Sequence, residues 1–209
     1  MLYKTTANVE DSMNPRILVF AGSIRSGAYS GKTADLAQKE LAMQGAEVTR
    51  ISLADYPLPL MDEDLEAEKG IPENAYRLAR LFAASDGTLI ATPEYNGSMP
   101  PLLKNTIDWV SRIATDGGKK LRPWPGRVMA ICSSSNGHFA GIRSAMHLRA
   151  VLAHIQADVI APQCSVPYGG DAFDEDGEFR EERLRKSMHR VCRALIEHAW
   201  LASERRKTP

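Results

Sequence analysis

Hydrophobic positions along the chain follow two alternating rhythms. Ile17-Leu18-Val19-Phe20-Ala21 is an unbroken apolar run after Arg16, the pattern of a strand buried on both faces. Behind it Ala34, Leu36, Ala37 and Leu41 recur at helical spacing up to Gly45, a residue suited to closing a helix. Residues 47–53 mix Val48, Thr49 and Ile51 with charged neighbours and predict a half-exposed strand near a sheet edge. An acidic loop with Pro57, Pro59 and Asp62-Glu63-Asp64 leads to Pro72, placed as the first residue of a helix carrying Ala75, Leu78, Ala79 and Phe82 on one face. The alternation then repeats: a short buried strand over 88–91, a helix over 102–112, a buried strand over 128–132 and a helix over 142–156. A fifth strand is expected over 158–161, cut off by Pro162. The last helix is expected over about 178–204, with Leu184, Met188, Val191, Leu195 and Trp200 on one face.

Five alternations of this kind predict an α/β fold. Its core is a five-stranded parallel sheet covered by helices on both faces, a three-layer αβα sandwich with the flavodoxin-like strand order 2-1-3-4-5. In that topology a ligand binds outside the carboxyl ends of the strands, where the first and third strands diverge. Loops 22–32, 93–101 and 133–141 follow strands one, three and four, so all three are expected at one rim. The domain is expected to span 15–204, between a flexible N-terminal arm (1–14) and a C-terminal tail (205–209).

At 209 residues and 44% hydrophobic, the chain is long enough for one self-sufficient core. Its 26 Lys and Arg cancel its 26 Asp and Glu, which recommends neither nucleic acid nor a membrane surface as partner. The longest apolar runs fall far short of the ~20 residues of a spanning helix. Three scattered cysteines, Cys132, Cys164 and Cys192, form no C-x-x-C pair and suit reduced thiols in the cytoplasm. Residues 1–14 hold no apolar stretch and do not read as a secretory signal.

The three loops differ in what they offer. Residues 22–32 run from a buried strand into a helix, where backbone N–H groups and the helix dipole attract an anion. Ser23, Ser26 and Ser30 add hydroxyls, and Arg25 a forked cation. Pro93-Glu94-Tyr95-Asn96-Gly97-Ser98 presents Tyr95 to a flat π-rich ligand, with exposed backbone around Asn96 and Gly97. Residues 133–141, from Ser133 past Gly137, offer a third polar edge. Taken singly, none of the loops excludes a plain connection, and 133–141 favours one; it is their convergence that argues for a site. Ser26–Thr33 comes within one residue of the phosphate loop G-x-x-x-x-G-K-[ST], yet no Asp closes a second apolar strand to hold magnesium. His147 and His154 share a helix without a carboxylate partner, which predicts no metal, and no G-x-S-x-G elbow occurs.

Three stretches together resemble the NADPH-dependent FMN reductase family, relatives of flavodoxin that include quinone, chromate and azo-dye reductases. They are Phe20-Ala21-Gly22-Ser23-Ile24-Arg25-Ser26-Gly27, Thr92-Pro93-Glu94-Tyr95-Asn96-Gly97-Ser98 and Leu102-Leu103-Lys104-Asn105-Thr106-Ile107-Asp108-Trp109. The resemblance spans roughly 16–200. It implies an oxidoreductase that passes hydride from NADPH or NADH through FMN to a flavin, quinone or similar small-molecule electron acceptor, by a ping-pong mechanism. Ser23, Arg25 and Ser30, with Ser26 beside them, would hold the FMN phosphate. Pro93, Glu94, Tyr95, Asn96 and Gly97 would carry the ring, with Tyr95 beside the nicotinamide, and Ser133 to Gly137 would border its pyrimidine side. The chemistry then belongs to the flavin, and no protein group is expected to be catalytic. A homodimer or homotetramer is implied, with the acidic loop 60–68 at a neighbour. Ala28, Ser30 and Ala140 depart from the family's usual Ser, Asn and Gly, and Ala28 forfeits a hydroxyl contact. The alternatives are a flavin-binding electron carrier or redox sensor, and a phosphate-loop nucleotide hydrolase.

Overall fold

A computed structural model of the protein describes residues 14–207. The apolar run at 17–21 becomes β1 (Arg16–Ala21), which pairs in parallel with β2 (Glu47–Ile51) on one side and β3 (Gly87–Pro93) on the other. The sheet continues from β3 to β4 (Val128–Ser134) and β5 (Asp158–Val166), both parallel, so the order is β2-β1-β3-β4-β5, as the alternation predicts. Residues on a strand point alternately to opposite faces, and β1 shows the consequence. Ile17, Val19 and Ala21 enter one core under α1 (Tyr29–Met43) and α6 (Glu182–Lys207), against Ala34, Leu41, Val191 and Leu195. Leu18 and Phe20 enter the other, under α3 (Glu73–Ala84), α4 (Pro101–Ser111) and α5 (Ile142–His154), against Leu78, Phe82, Leu103 and Leu148.

Several boundaries depart from the sequence expectation. The strand at 158 does not stop before Pro162 but runs on to Val166. Its register explains why: Met129 faces Val159 and Ile131 faces Gln163, so Ile160, Ala161 and Pro162 bulge opposite Ala130 on an edge strand. There proline's missing N–H removes no ladder bond. The acidic loop contains a short helix, α2 (Glu63–Lys69), started by Asp62 Oδ1, which accepts from Asp64 N at 2.8 Å. None of its residues is buried, so it has no apolar periodicity to read. Pro72 is the N-cap of α3 rather than its first residue. Thr115–Asp116 and Lys119–Lys120 form a small antiparallel hairpin that the pattern does not reveal.

The last helix begins later than expected. Asp174 Oδ1 accepts from Asp176 N and Glu178 N, at 3.1 and 2.8 Å, and so holds residues 174–178 in a turn. The same helix extends to Lys207, into the segment expected as a tail. Residues 208–209 and all but Asn14 of the expected N-terminal arm lie outside the described residues.

Candidate functional site

The ends of β1, β3 and β4 meet at one rim. They enclose a cleft of about 160 Å³ lined by Ser23, Arg25, Ala28, Tyr29 and Ser30 from the first loop, by Pro93, Glu94 and Tyr95 from the second, and by Ser134, Ser135 and Asn136 from the third. Ligand pockets run from ~300 Å³ upward. The enclosed part is therefore smaller than a typical ligand pocket and opens onto the rim.

The first loop is built to receive an anion. Helix α1 starts at Ala28, an N-cap without side-chain oxygen, so no side chain of its own caps its first-turn N–H groups. Ser30, in that turn, is 1% exposed, and its hydroxyl has no hydrogen-bond partner. Arg25 turns back on its own loop, donating to Ser26 O at 3.3 Å and Gly27 O at 3.5 Å, and its charge meets no carboxylate among the described residues. Ser23 Oγ accepts from Arg25 N at 3.2 Å and shapes the turn. Ser26 is exposed and lies outside the lining. The phosphate-loop look-alike dissolves in three dimensions: Thr33 is buried and donates to Tyr29 O at 2.8 Å, while Lys32 lies over the Phe173 ring.

The second loop carries a tight turn. Tyr95 N donates to Ser98 O at 2.9 Å and Ser98 N returns to Tyr95 O at 3.0 Å. Asn96 and Gly97 between them have φ of 50° and 80°, which makes this a primed turn of the Asn-Gly kind. Asn96 and Gly97 thus form the turn's apex and do not line the cleft, while Tyr95 stands at its mouth, 48% exposed. The Glu94 carboxylate is engaged by Arg143 of α5, whose Nε donates to it at 2.8 Å.

The third wall differs from expectation in register. Ser133 and Ser134 belong to β4, and successive residues face opposite sides. Ser133 donates to Ala140 O at 2.8 Å and shares a hydrogen bond with Ser165 Oγ at 2.9 Å, away from the cleft. Ser134 lines the cleft instead, 2% exposed and with its hydroxyl unpartnered. Gly137 is exposed outside the lining and donates from its N–H to Ser135 Oγ at 3.0 Å. The close start of α5 depends on Gly141: its φ is 76°, and a Cβ there would approach Ser134 O to 3.1 Å.

Sequence reading missed a fourth segment, after β5. Gly169 N donates to Ser135 O at 3.0 Å and Gly170 N to Asn136 Oδ1 at 3.3 Å, while a Cβ on Gly169 would lie 2.5 Å from the Tyr29 ring. The Pro167-Tyr168-Gly169-Gly170 run after a strand was the available signal.

The site holds no activated nucleophile. No cysteine lines the cleft, and the Cys132 thiol within β4 is pushed well up by its hydrogen bond with Cys164 and by burial. His147 shares a hydrogen bond with Ser98 Oγ at 3.0 Å, His154 is exposed, and no metal-binding cluster occurs among the described residues. What the arrangement offers is an anion seat leading to an open ledge beside an aromatic ring.

Comparison with known proteins agrees with that chemistry. The family model for NADPH-dependent FMN reductase matches residues 15–171. The chain is 37% identical over 146 residues to the quinone reductase of Escherichia coli strain K12, covering 69% of this chain and 73% of that protein. It is 32% identical over 182 residues to an NAD(P)H-dependent FMN reductase of Pseudomonas aeruginosa, covering 86% and 92%. Among solved structures, the flavoenzyme NAD(P)H:(acceptor) oxidoreductase of Paracoccus denitrificans matches with a TM-score of 0.73 at 26% identity, over 88% of this chain and 97% of that one.

Proposed function

The chain belongs to the NADPH-dependent FMN reductase family, and from that premise we propose that it is an NAD(P)H-dependent oxidoreductase passing electrons through FMN to a quinone, free flavin or similar small acceptor. The observation that carries the reading is the pair of buried hydroxyls, Ser30 and Ser134, that lack partners and line the cleft beside Arg25. Buried polar groups are seldom left unpaired, and the phosphate and carbonyl oxygens of FMN supply the acceptors that the two hydroxyls and the guanidinium need. Arg25, Ser23, Ser30 and the uncapped start of α1 would hold the FMN phosphate, and the 93–97 and 134–136 segments would flank the rest. When bound, FMN supplies the two-electron redox chemistry. The protein binds and orients, and its Glu94 is occupied by Arg143.

The exposed ledge at Tyr95 suits one flat ring at a time, which supports a ping-pong order in which NAD(P)H leaves before the acceptor enters. Initial rates against NADPH and a benzoquinone should give parallel double-reciprocal lines; intersecting lines would reject that order. Anaerobic NADPH should bleach the flavin rapidly and completely, whereas a slow response stalling at one electron per flavin would favour a carrier or sensor. The reading extends to a cytoplasmic homodimer or homotetramer. Its supports are three buried free cysteines and Leu60, 78% exposed beside the acidic α2. No helix among the described residues is long and apolar enough to cross a membrane.

A further inference from the structure

We propose that Glu94 and Arg143 form a latch that fixes two walls of the cleft to each other and, by cancelling each other's charge, sets the cleft's preference between oxidised and reduced FMN; the inference rests on the FMN reading above. Helix α5 begins at Gly141, which has no side chain to cap it. Glu94 does so from the neighbouring loop: Oε2 accepts from Arg143 N at 3.2 Å, while Oε1 accepts from Arg143 Nε at 2.8 Å and meets Nη2 at 2.5 Å. The carboxylate thus takes both a backbone donor at the positive end of a helix and a forked guanidinium. Its side chain is 7% exposed, so water screens the pair poorly on that side.

Two further ties run between the same elements. Thr92 Oγ1 meets Ser144 Oγ at 2.9 Å, and Ser98 Oγ meets His147 Nδ1 at 3.0 Å. The Arg143 stem also runs close to the Tyr95 turn, as a Cβ on Gly97 would lie 3.9 Å from its Cδ and Nε. Residues 92, 94 and 98 are thereby fastened to 143, 144 and 147 on one side of α5, and the 134–141 segment leads directly into that helix. Arg143 is a positioning residue: it acts through Glu94, which itself lines the cleft.

The charges make the idea separable from a purely structural role. Removing one partner leaves an uncompensated charge of known sign beside a ligand that gains negative charge on reduction. The experiment titrates apoprotein with oxidised FMN and measures the reduction potential of bound FMN by equilibration with a reference dye. Glu94→Gln frees a cation and should favour reduced over oxidised FMN by about tenfold, ~30 mV upward for a two-electron couple. Arg143→Met strands the carboxylate and should shift the ratio about tenfold the other way. Arg143→Lys keeps the sign, so it should hold a near wild-type ratio while binding both forms more weakly, and it serves as the readout should Arg143→Met fail to fold. Shifts of the same sign in Glu94→Gln and Arg143→Met, no shift in Glu94→Gln, or an Arg143→Lys ratio displaced as far as expected for Arg143→Met would overturn the latch. Wild-type apoprotein that takes up no FMN would overturn the reading beneath it, and the latch with it.

Discussion

Arg25 is a cation at the mouth of the cleft whose guanidinium is held by two long hydrogen bonds to carbonyls of its own loop, at 3.3 and 3.5 Å, and lies 5.9 Å from the centre of the Tyr29 ring. Exchanging those weak bonds for a phosphate is favourable, because charge-assisted contacts contribute about 1.5–3 kcal/mol. Arg25→Ala should therefore raise the Kd for FMN roughly ten- to a hundredfold in a fluorescence titration of apoprotein; an unchanged Kd would move the anion seat elsewhere. Ala28 gives a prediction of opposite sign. Since α1 lacks a capping side chain, Ala28→Ser should stabilise the apoprotein by ~1 kcal/mol in urea unfolding. Arg25 and Ser30 were legible because they follow an apolar strand in a stretch rich in hydroxyls. Ser134 was not, since it is the middle of three consecutive serines and nothing in the sequence says which faces the cleft. Only the pairing of Ser133 with Thr92 and Ser165 fixes which way each one points.

Among the elements, the five strands and their order could be read because β1, β3 and β4 carry buried apolar residues for both cores and β5 for one, while mixed β2 announced its own edge position. Helix α2 left no such trace. Its Asp62 cap and the Arg112–Glu66 ion pair at 2.8 Å hold it, and neither interaction has a periodicity. The start of α5 depends on backbone geometry that a single letter conceals. Gly141 combines a left-handed φ of 76° with a 3.1 Å approach to Ser134 O, so an added methyl meets main chain rather than a yielding side chain. Gly141→Ala should cost about 1–3 kcal/mol, seen as a lower urea midpoint, and should weaken FMN binding by displacing Ser134. A variant of wild-type stability would show that α5 does not need this approach.

Across the whole molecule, one buried carboxylate ties together the far end of the sheet. Asp86, just before β3, accepts from Arg16 N at 3.0 Å at the start of β1, and from Arg206 Nη2 at 3.0 Å near the end of α6. Burial alone would raise its pKa, but the bonds from Arg16 and the charges of Arg16 and Arg206 outweigh it and hold the carboxyl below its usual value. A depressed carboxylate pKa stabilises the fold above the unfolded value of about 3.9, and that contribution disappears as pH falls through the folded value. Asp86→Asn should thus lower stability near pH 7 and flatten the decline below about pH 4, measured as urea midpoints across the acid range; an acid limb as steep as wild type would assign the decline to other groups. At this scale the layered architecture was evident from the chain, whereas the knot was not, because its three members lie 70 and 120 residues apart. The bulge at Pro162 also has a bearing on association. It interrupts the row of backbone donors along the outer margin of β5, so a strand from another molecule finds no continuous template there. Copies of this protein that join on that side would do so through helix surfaces and loops, which guards this one flank of the sheet against fibrous stacking.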